Sequence, residues 1–247
     1  MPVLFDIILA TLLVSSISLV GVFFLLRNKN WADSISHNFV GFAAGTMLAA
    51  AILDILPEAL EGATNLRGVL LFFLGGILLF FLLERFIIWF HHHDSEHDSH
   101  PTTPLILIGD GVHNFIDGIA IAATFLTNPA IGFVTTLAIA AHEIPQEIAD
   151  LSILLHGGLP KSKALLYNFL SALTAVAGGI LGYFFLDSLQ GYIPYVLAFT
   201  AGMFIYIACS DLIPELHKDS QKRGWKEVVP FLLGIIILGS LIHLLGQ

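Results

Sequence analysis

The chain of 247 residues is 56% hydrophobic and 12% charged, which excludes an ordinary soluble domain, since such domains carry about twice that share of charged residues. A mean hydropathy of +0.86 predicts an integral membrane protein embedded in a lipid bilayer. The formal net charge of −9 predicts no nucleic-acid partner. The one cysteine, Cys209, excludes an intrachain disulfide or a thiolate metal cluster and is expected to be a small buried hydrophobe.

Apolar segments close to the ~20 residues needed to cross a bilayer recur along the chain. They predict an all-α integral membrane protein with a single transmembrane transporter domain over residues 1–247 and eight transmembrane helices. The first segment lacks a preceding basic residue and is followed by Arg27 and Lys29, so we expect a retained span and not a cleaved signal peptide. The predicted spans are 4–26, 35–60, 66–90, 104–127, 129–156, 163–186, 192–214 and 228–246.

The basic residues predict the orientation of these spans. If the N-terminus lies outside the cytoplasm, Arg67 is the one lysine or arginine on the outer side, and every other one faces the cytoplasm. Both termini are then extracytoplasmic, and we expect the protein in the plasma membrane, the inner membrane of a bacterial cell. The stretch HHHDSEHDSH becomes part of a cytoplasmic loop at 91–103.

This loop is rich in histidine. Its imidazoles can bind metal ions weakly and exchangeably, or the segment can be a solvated linker with no ligand. In either case a tract without a fixed geometry is expected to modulate function and not to carry it. Its candidate ligands are His91, His92, His93, His97 and His100.

An internal repeat links the second and seventh spans. The residues Phe42 to Gly45 recur as Phe199 to Gly202, and the segment DILPE at 54–58 recurs as DLIPE at 211–215, always at the same distance along the chain. The two spans run in opposite directions across the membrane. The pattern therefore predicts a 3+2+3 inverted repeat, with helices four and five inserted between two related triplets, as found in transporters.

The repeat also places small residues four apart, in the pairs Gly41 and Gly45, Ala198 and Gly202, and Gly178 and Gly182. We expect these positions to allow close helix packing.

Acidic residues of the repeat lie near the predicted membrane surfaces and are candidates for the two mouths of a cation path. They are Asp54, Glu58, Asp211 and Glu215. The alternative is that Pro57 and Pro214 simply end their helices.

Spans four and five carry an unusual number of polar residues for a membrane interior, where such groups are costly. At about 100° per residue, each set falls on one helical face. The first face has His113, Asn114 and Asp117 with Asp110, and the second has His142, Glu143, Gln146 and Glu147 with Asp150. In the sixth span, Asn168 extends the candidate path.

Imidazole, carboxylate and carboxamide groups without thiols suit a borderline divalent ion such as Zn²⁺, Fe²⁺ or Mn²⁺. The two stripes therefore predict a metal site between helices four and five. The alternative interpretation is a polar network that only holds two buried helices together by hydrogen bonds.

HNFIDG at 113–118 and HEIPQE at 142–147 resemble the helix-four and helix-five motifs of the ZIP (Zrt/Irt-like) family of divalent-metal transporters. The resemblance covers nearly the whole chain, including the histidine-rich loop and the repeat. It implies that His113, Asn114, Asp117, His142 and Glu143 line a site for one or two ions. It also implies a homodimer and an elevator-like motion of one helix bundle against the other.

The expected function is transport of a divalent metal into the cytoplasm, with zinc as the transported substrate and no organic cofactor. Gln146 departs from the histidine of many relatives, which favours a looser selectivity that extends to Fe²⁺, Mn²⁺ or Cd²⁺. The alternative is a membrane-embedded zinc hydrolase, because HEIPQ is one residue short of the HExxH motif of metalloproteases. The missing second histidine and the distortion that Pro145 introduces predict that the chain is not an enzyme.

Overall fold

The structure is a computed structural model that describes residues 2–27, 29–93, 102–156, 158–218 and 225–245. Every regular element in these ranges is helical, so the all-α prediction is confirmed for them. In chain order the helices are α1 Pro2–Arg27, α2 Lys29–Ala50, α3 Leu56–Glu61, α4 Leu66–His93, α5 Thr102–Thr127, α6 Pro129–His156, α7 Lys161–Ala172, α8 Thr174–Ser188, α9 Ile193–Ile207, α10 Ile213–Lys218 and α11 Trp225–Leu244.

Four stretches of the described residues are long and apolar enough to cross a membrane: Val40–Glu61, Leu66–Arg85, Lys161–Ser188 and Gln190–Ser210. They support an integral membrane protein. Helices α5 and α6 have sufficient length, but their polar stripes lower the mean hydropathy along them. The count of eight spans therefore stays a prediction.

The helices pack in two sets. The first set has α5 against α8 and α1 against both α6 and α8, and the second has α4 against α9 and α2 against α11. In the second set, the hydroxyl of Tyr206 on α9 donates a hydrogen bond to the carboxylate of Glu84 on α4. Contacts between the sets run mainly through α2 and α6. The polar stripes of α5 and α6 thus belong to a single packing unit.

Two π-helical turns interrupt the spans that carry the repeat. They are Ala51–Ile55, between α2 and α3, and Ala208–Leu212, between α9 and α10, and they occupy equivalent positions of the repeat. Each is followed closely by a proline, Pro57 or Pro214, which lacks an N–H group and clashes with the carbonyl four residues earlier. That carbonyl lies inside the π turn in both cases, so the wider turn relieves the clash.

Glycines in the repeat allow very close helix packing. A Cβ atom added to Gly45 would lie 2.2 Å from the carbonyl oxygen of Phe231 on α11, and one added to Gly202 would lie 2.0 Å from that of Phe73 on α4. Gly178 on α8 approaches the backbone of α5 in the same way. The prediction of close packing is confirmed for Gly45, Gly178, Gly182 and Gly202.

The predicted sixth span runs continuously over Lys161–Ser188, with one break in its regular helical hydrogen bonding at Leu173. Helix α7 ends at Ala172 and α8 begins at Thr174, with Leu173 between them. The hydroxyl of Thr174 lies 2.6 Å from the carbonyl oxygens of both Ser171 and Gly111. A hydroxyl that bonds to the preceding turn and to a neighbouring helix competes with the regular backbone hydrogen bonds, which explains the break.

Two further expectations differ from the structure. Residues 94–101 of the predicted loop at 91–103 lie outside the described residues, while α4 continues to His93 and α5 begins at Thr102. His97 and His100 lie outside the described residues, as do the side chains of His91, His92 and His93. Cys209 is exposed, contrary to the expected burial, because it lies on the outer side of the second π turn.

The close approach at Gly202 generates a prediction. Gly202→Ala should stabilise the folded protein by about 1 kcal/mol through its higher helix propensity. The new Cβ atom, however, would lie 2.0 Å from the carbonyl oxygen of Phe73 and would force the two helix backbones apart. Such overpacking destabilises the folded protein by about 1–3 kcal/mol or more. We expect the melting temperature of the purified protein in detergent to fall by several degrees. Gly191→Ala is the control, because its new Cβ atom meets nothing within 4 Å. Equal melting temperatures for the two variants would contradict the packing role.

Candidate metal centre

A helical hairpin brings the two polar stripes together. Asn128 alone separates α5 from α6, and its side-chain oxygen accepts a hydrogen bond from the backbone N–H of Ala130 at 2.9 Å, which caps the first turn of α6. His113 precedes this turn by nearly as many residues as His142 follows it, so the two lie at the same depth of the hairpin. The sequence spacing itself therefore places the histidines side by side.

Four side chains meet at this depth and form what we call the histidine cluster: His113, Asp117, His142 and Glu143. One ligand atom from each lies within 4.8 Å of all the others. The two Nε2 atoms are 3.2 Å apart. Nε2 of His142 lies 3.4 Å from Oδ2 of Asp117 and 3.4 Å from Oε1 of Glu143, and Nε2 of His113 lies 3.5 Å and 3.6 Å from the same oxygens.

These separations match a tetrahedral zinc site. Bonds of about 2.0–2.1 Å from zinc to nitrogen or oxygen imply a distance of about 3.3–3.4 Å between two ligands at the tetrahedral angle. The five measured pairs fall on either side of that value, between 3.2 and 3.6 Å. Five of the six pairs of ligand atoms are therefore spaced for an ion at the centre of the cluster, and the sixth pair, the two carboxylate oxygens, lies within 4.8 Å.

The orientation of His142 favours coordination. Its Nδ1 atom lies 3.3 Å from the carbonyl oxygen of Ala138. Because a carbonyl can only accept, it can hold the Nδ1 proton of the neutral tautomer, in which Nε2 is the atom that would bind an ion. A backbone carbonyl on the far nitrogen is a common way to fix a metal-binding histidine.

The charges of the cluster also call for a cation. Asp117, His142 and Glu143 are almost completely buried, and His113 is 13% exposed. Both oxygens of Asp117 and Oε1 of Glu143 are buried without a hydrogen-bond partner. In the described part of the chain, the ion pairs around these carboxylates involve the two histidines and no lysine or arginine. Two buried carboxylates without a fixed cation are costly, and a divalent ion would offset that cost.

Asp110 organises the carboxamides beside the cluster. Its Oδ1 atom accepts a hydrogen bond from Nδ2 of Asn114 at 2.9 Å and a longer one from Nε2 of Gln146 at 3.4 Å. Asn114 is fully buried, and its Oδ1 atom has no partner. The amide nitrogen of Gln146 thus faces Asp110, and Gln146 is not part of the tight group of four.

The polar network continues to α7. Asn168 is buried and donates a hydrogen bond from Nδ2 to Oε2 of Glu147, which is also buried. Asp150 lies partly buried one turn further along α6 and is close enough to Glu147 for electrostatic repulsion. The structure therefore joins the predicted path residues Asp110, Glu147, Asp150 and Asn168 into one region next to the histidine cluster.

Two aromatic rings from the other helix set cover the histidine cluster. Phe80 of α4 meets the ring of His113 edge-on at a centroid distance of 5.4 Å, and Phe204 of α9 meets that of His142 at 6.2 Å. Both phenylalanines are buried. The sequence analysis missed them, because among 20 phenylalanines in apolar spans nothing distinguishes these two.

The candidate mouth residues lie away from the cluster. Asp54 is buried within the first π turn, and Glu58 is partly buried one turn later. The side chains of Asp211 and Glu215 are outside the part that the structure describes, although their backbone lies in the second π turn and in α10. The proposed roles of these four acidic residues remain predictions.

Comparisons with known proteins agree with the motifs. The family model of the ZIP zinc transporters matches residues 3–105 and 91–242. Zinc transporter ZIP10 of Danio rerio is 41% identical over 130 residues, 52% of this chain and 15% of that protein. Zinc transporter zipt-7.2 of Caenorhabditis elegans is 39% identical over 142 residues, 56% of this chain and 31% of that protein. Zinc transporter ZIP4 of Mus musculus is 40% identical over 121 residues, 49% of this chain and 18% of that protein.

The chain thus spans less than a third of the length of these relatives. The family model, by contrast, covers nearly all of this chain. The match includes both helices that carry the histidine cluster and the pair of spans that carry the repeat. The chain therefore belongs to the ZIP zinc transporter family.

Proposed function

We propose that this chain transports a divalent metal ion, zinc in the first place, across the membrane into the cytoplasm. The observation that carries the proposal is the histidine cluster, where four donors on one hairpin are spaced for a tetrahedral ion. Two nitrogen and two carboxylate donors suit Zn²⁺ and are compatible with Fe²⁺, Mn²⁺ and Cd²⁺. Family membership supports zinc as the first substrate.

The donors would replace the water shell of the ion. A hydrated cation entering the low-dielectric interior loses its water ligands at high cost, and the cluster offsets this cost with four direct bonds and the charges of Asp117 and Glu143. The carbonyl of Ala138 would hold His142 in its coordinating tautomer. Without an ion, the carboxylates of Asp117 and Glu143 repel each other. Binding of a cation would remove that repulsion, which would add to the affinity of the site.

The helix packing supports alternating access. All four ligands come from α5 and α6, which pack with α1, α7 and α8, whereas the aromatic rings over them come from α4 and α9. We propose that the first set slides against the second in an elevator-like motion. The equivalent π turns and glycine contacts support the 3+2+3 inverted repeat and eight spans on which such a motion depends.

Hydrolysis fits the site less well. In a metalloprotease helix of the HExxH type the two histidines bind the metal and the glutamate is left free as a general base. Here the position of the second histidine is Gln146, whose amide nitrogen faces Asp110, and Glu143 lies in the cluster with the ligand atoms. No carboxylate of the motif then remains free to activate water, which favours transport.

The remaining parts of the proposal follow from the basic residues and from the resemblance. We propose that the chain lies in a plasma membrane with both termini on the extracytoplasmic side, and that two copies form a homodimer. The driving force is the gradient of the ion or the membrane potential. Uptake of metal by proteoliposomes that contain the purified chain tests the function directly.

The first prediction concerns Asp117. Asp117→Ala removes a buried ligand and half of the carboxylate charge of the cluster, so zinc uptake should fall to background, a loss of about 100-fold or more. Asp187→Ala is the matched control, because that aspartate is exposed at the end of α8. Uptake by a normally inserted Asp117→Ala variant within a few-fold of the unmodified protein would refute the site.

A second prediction concerns selectivity. Gln146→His introduces an imidazole next to the histidine cluster, and a softer nitrogen donor should favour Zn²⁺ over Mn²⁺ and Fe²⁺. In a competition assay the ratio of zinc to manganese uptake should rise several-fold. An unchanged ratio would place position 146 outside the coordination sphere.

A third prediction tests the orientation of the repeat. In a Cys209→Ser background, Glu58→Cys should react with an impermeant thiol reagent added outside, and Glu215→Cys with the same reagent added inside. The background substitution is needed because Cys209 is itself exposed. Reaction of both cysteines from one side would contradict the inverted topology and the two acidic mouths.

A further inference from the structure

We propose that a second cation site, built only from oxygen ligands, lies between α5, α6 and α7. Its ligands are the carboxylates of Asp110 and Glu147 and the carboxamide oxygen of Asn168, which we call the oxygen cluster. None of the three belongs to the histidine cluster or to the five residues that the family resemblance assigns to the metal. The site binds a divalent cation that prefers oxygen ligands, such as Mn²⁺.

The first support is a set of buried oxygens without partners. Asp110, Glu147 and Asn168 are 6%, 1% and 1% exposed. Oδ2 of Asp110, Oε1 of Glu147 and Oδ1 of Asn168 have no hydrogen-bond partner. A buried acceptor without a donor costs about 1–3 kcal/mol, and more when it is charged. Two of these atoms belong to side chains that bond to each other, Glu147 and Asn168, and Asp110 is near enough to repel Glu147, so one cation could serve all three.

The hydrogen bonds determine which atoms stay free. Asn168 uses its Nδ2 group as a donor to Oε2 of Glu147, so its own oxygen and the second oxygen of Glu147 remain available. Asp110 uses Oδ1 to accept from Asn114 and Gln146, and its carboxylate also interacts with the hydroxyl of Ser171, but Oδ2 has no hydrogen bond of normal geometry. Each side chain is thus held by one polar atom and offers the other, as the supported ligands of a metal site do.

Charge gives a second, independent argument. Glu147 is repelled by Glu143, Asp110 and Asp150, and Asp110 is repelled by Glu143. In the described part of the chain, no lysine or arginine forms an ion pair with Asp110 or Glu147, and His113, which attracts Asp110, contacts Asp117 and Glu143. One ion in the histidine cluster would leave Glu147 with no cation beside it among the described residues. A second cation would supply that countercharge.

The position of the oxygen cluster suggests its use. Glu147 lies one helical turn after Glu143 on α6, and Asp110 lies one turn before His113 or Asn114 on α5. Since the two helices run in opposite directions, both steps lead to the same side of the histidine cluster, which is the cytoplasmic side in the predicted orientation. If the proposed function holds, the ion moves from nitrogen ligands to weaker oxygen ligands before it leaves.

The test uses the full chain, purified in detergent and stripped of metal, with Mn²⁺ as the probe. Equilibrium dialysis should find two Mn²⁺ per chain for the unmodified protein and one for the variant His113→Ala/His142→Ala. Adding Glu147→Gln and Asn168→Leu to that variant should weaken the remaining site at least 10-fold. The control adds Asp187→Asn instead and should leave the site intact. Absence of a bound Mn²⁺ in the His113→Ala/His142→Ala variant overturns the proposal.

Asn168→Asp separates a ligand from a purely structural hydrogen bond. If Asn168 only holds Glu147, the new carboxylate should lower the melting temperature with or without metal. If the oxygen cluster binds a cation, Mn²⁺ should raise the melting temperature of Asn168→Asp, in the His113→Ala/His142→Ala background, more than it does with Asn168 present. No Mn²⁺-dependent rise refutes the site.

The same measurements keep the two sites apart. Zn²⁺ binding by a Glu147→Gln/Asn168→Leu variant reports the histidine cluster alone. Failure of that binding, while Mn²⁺ still binds to the His113→Ala/His142→Ala variant, would refute the proposed role of the histidine cluster and support the oxygen cluster.

Discussion

The structure depends on buried acidic groups that no lysine or arginine among the described residues neutralises. Carboxylates of α5 and α6 lie in an apolar bundle, with histidines as the only side chains in ion pairs with them among the described residues. Evolution can keep such groups in a membrane only when something else offsets their cost. The close backbone contacts of Gly118 and Gly178 between α5 and α8 pack one of these two helices firmly against its neighbour.

The arrangement of donors follows a simple geometric logic. One short turn at Asn128 places two helices side by side, and residues one turn apart on each helix then form successive levels. The histidine level offers nitrogen and oxygen, whereas the level at Asp110 and Glu147 offers oxygen alone. A cation between these helices would thus meet ligands of decreasing softness, so its affinity would fall along the hairpin.

Much of this was predictable, because membrane spans and helical faces leave direct signals in a sequence. The stripe with His113 and Asp117 and the one with His142 and Glu143 share a face by periodicity alone, and the structure brings these four together. The π turns were not predictable, because a proline such as Pro57 permits a wide turn without specifying one. The break at Leu173 depends on a hydrogen bond of Thr174 to another helix, and the hydrogen bond from Gln146 to Asp110 depends on packing across the hairpin. Such interactions arise only when distant segments meet.

The source of the ligands has a mechanical consequence. All four donors of the histidine cluster lie on one covalent hairpin, and the described ring contacts that face it come from Phe80 of α4 and Phe204 of α9. Displacement of the hairpin as a rigid body would leave every bond to the ion intact. During such a movement, the hairpin would slide against the aromatic and aliphatic side chains of the facing helices. Dispersion attraction between these surfaces depends only weakly on their exact relative position, so it would resist the movement little. Substitutions on the hairpin would therefore change how tightly the ion binds, whereas substitutions on the facing helices would change how easily the hairpin moves. Each property could change without the other.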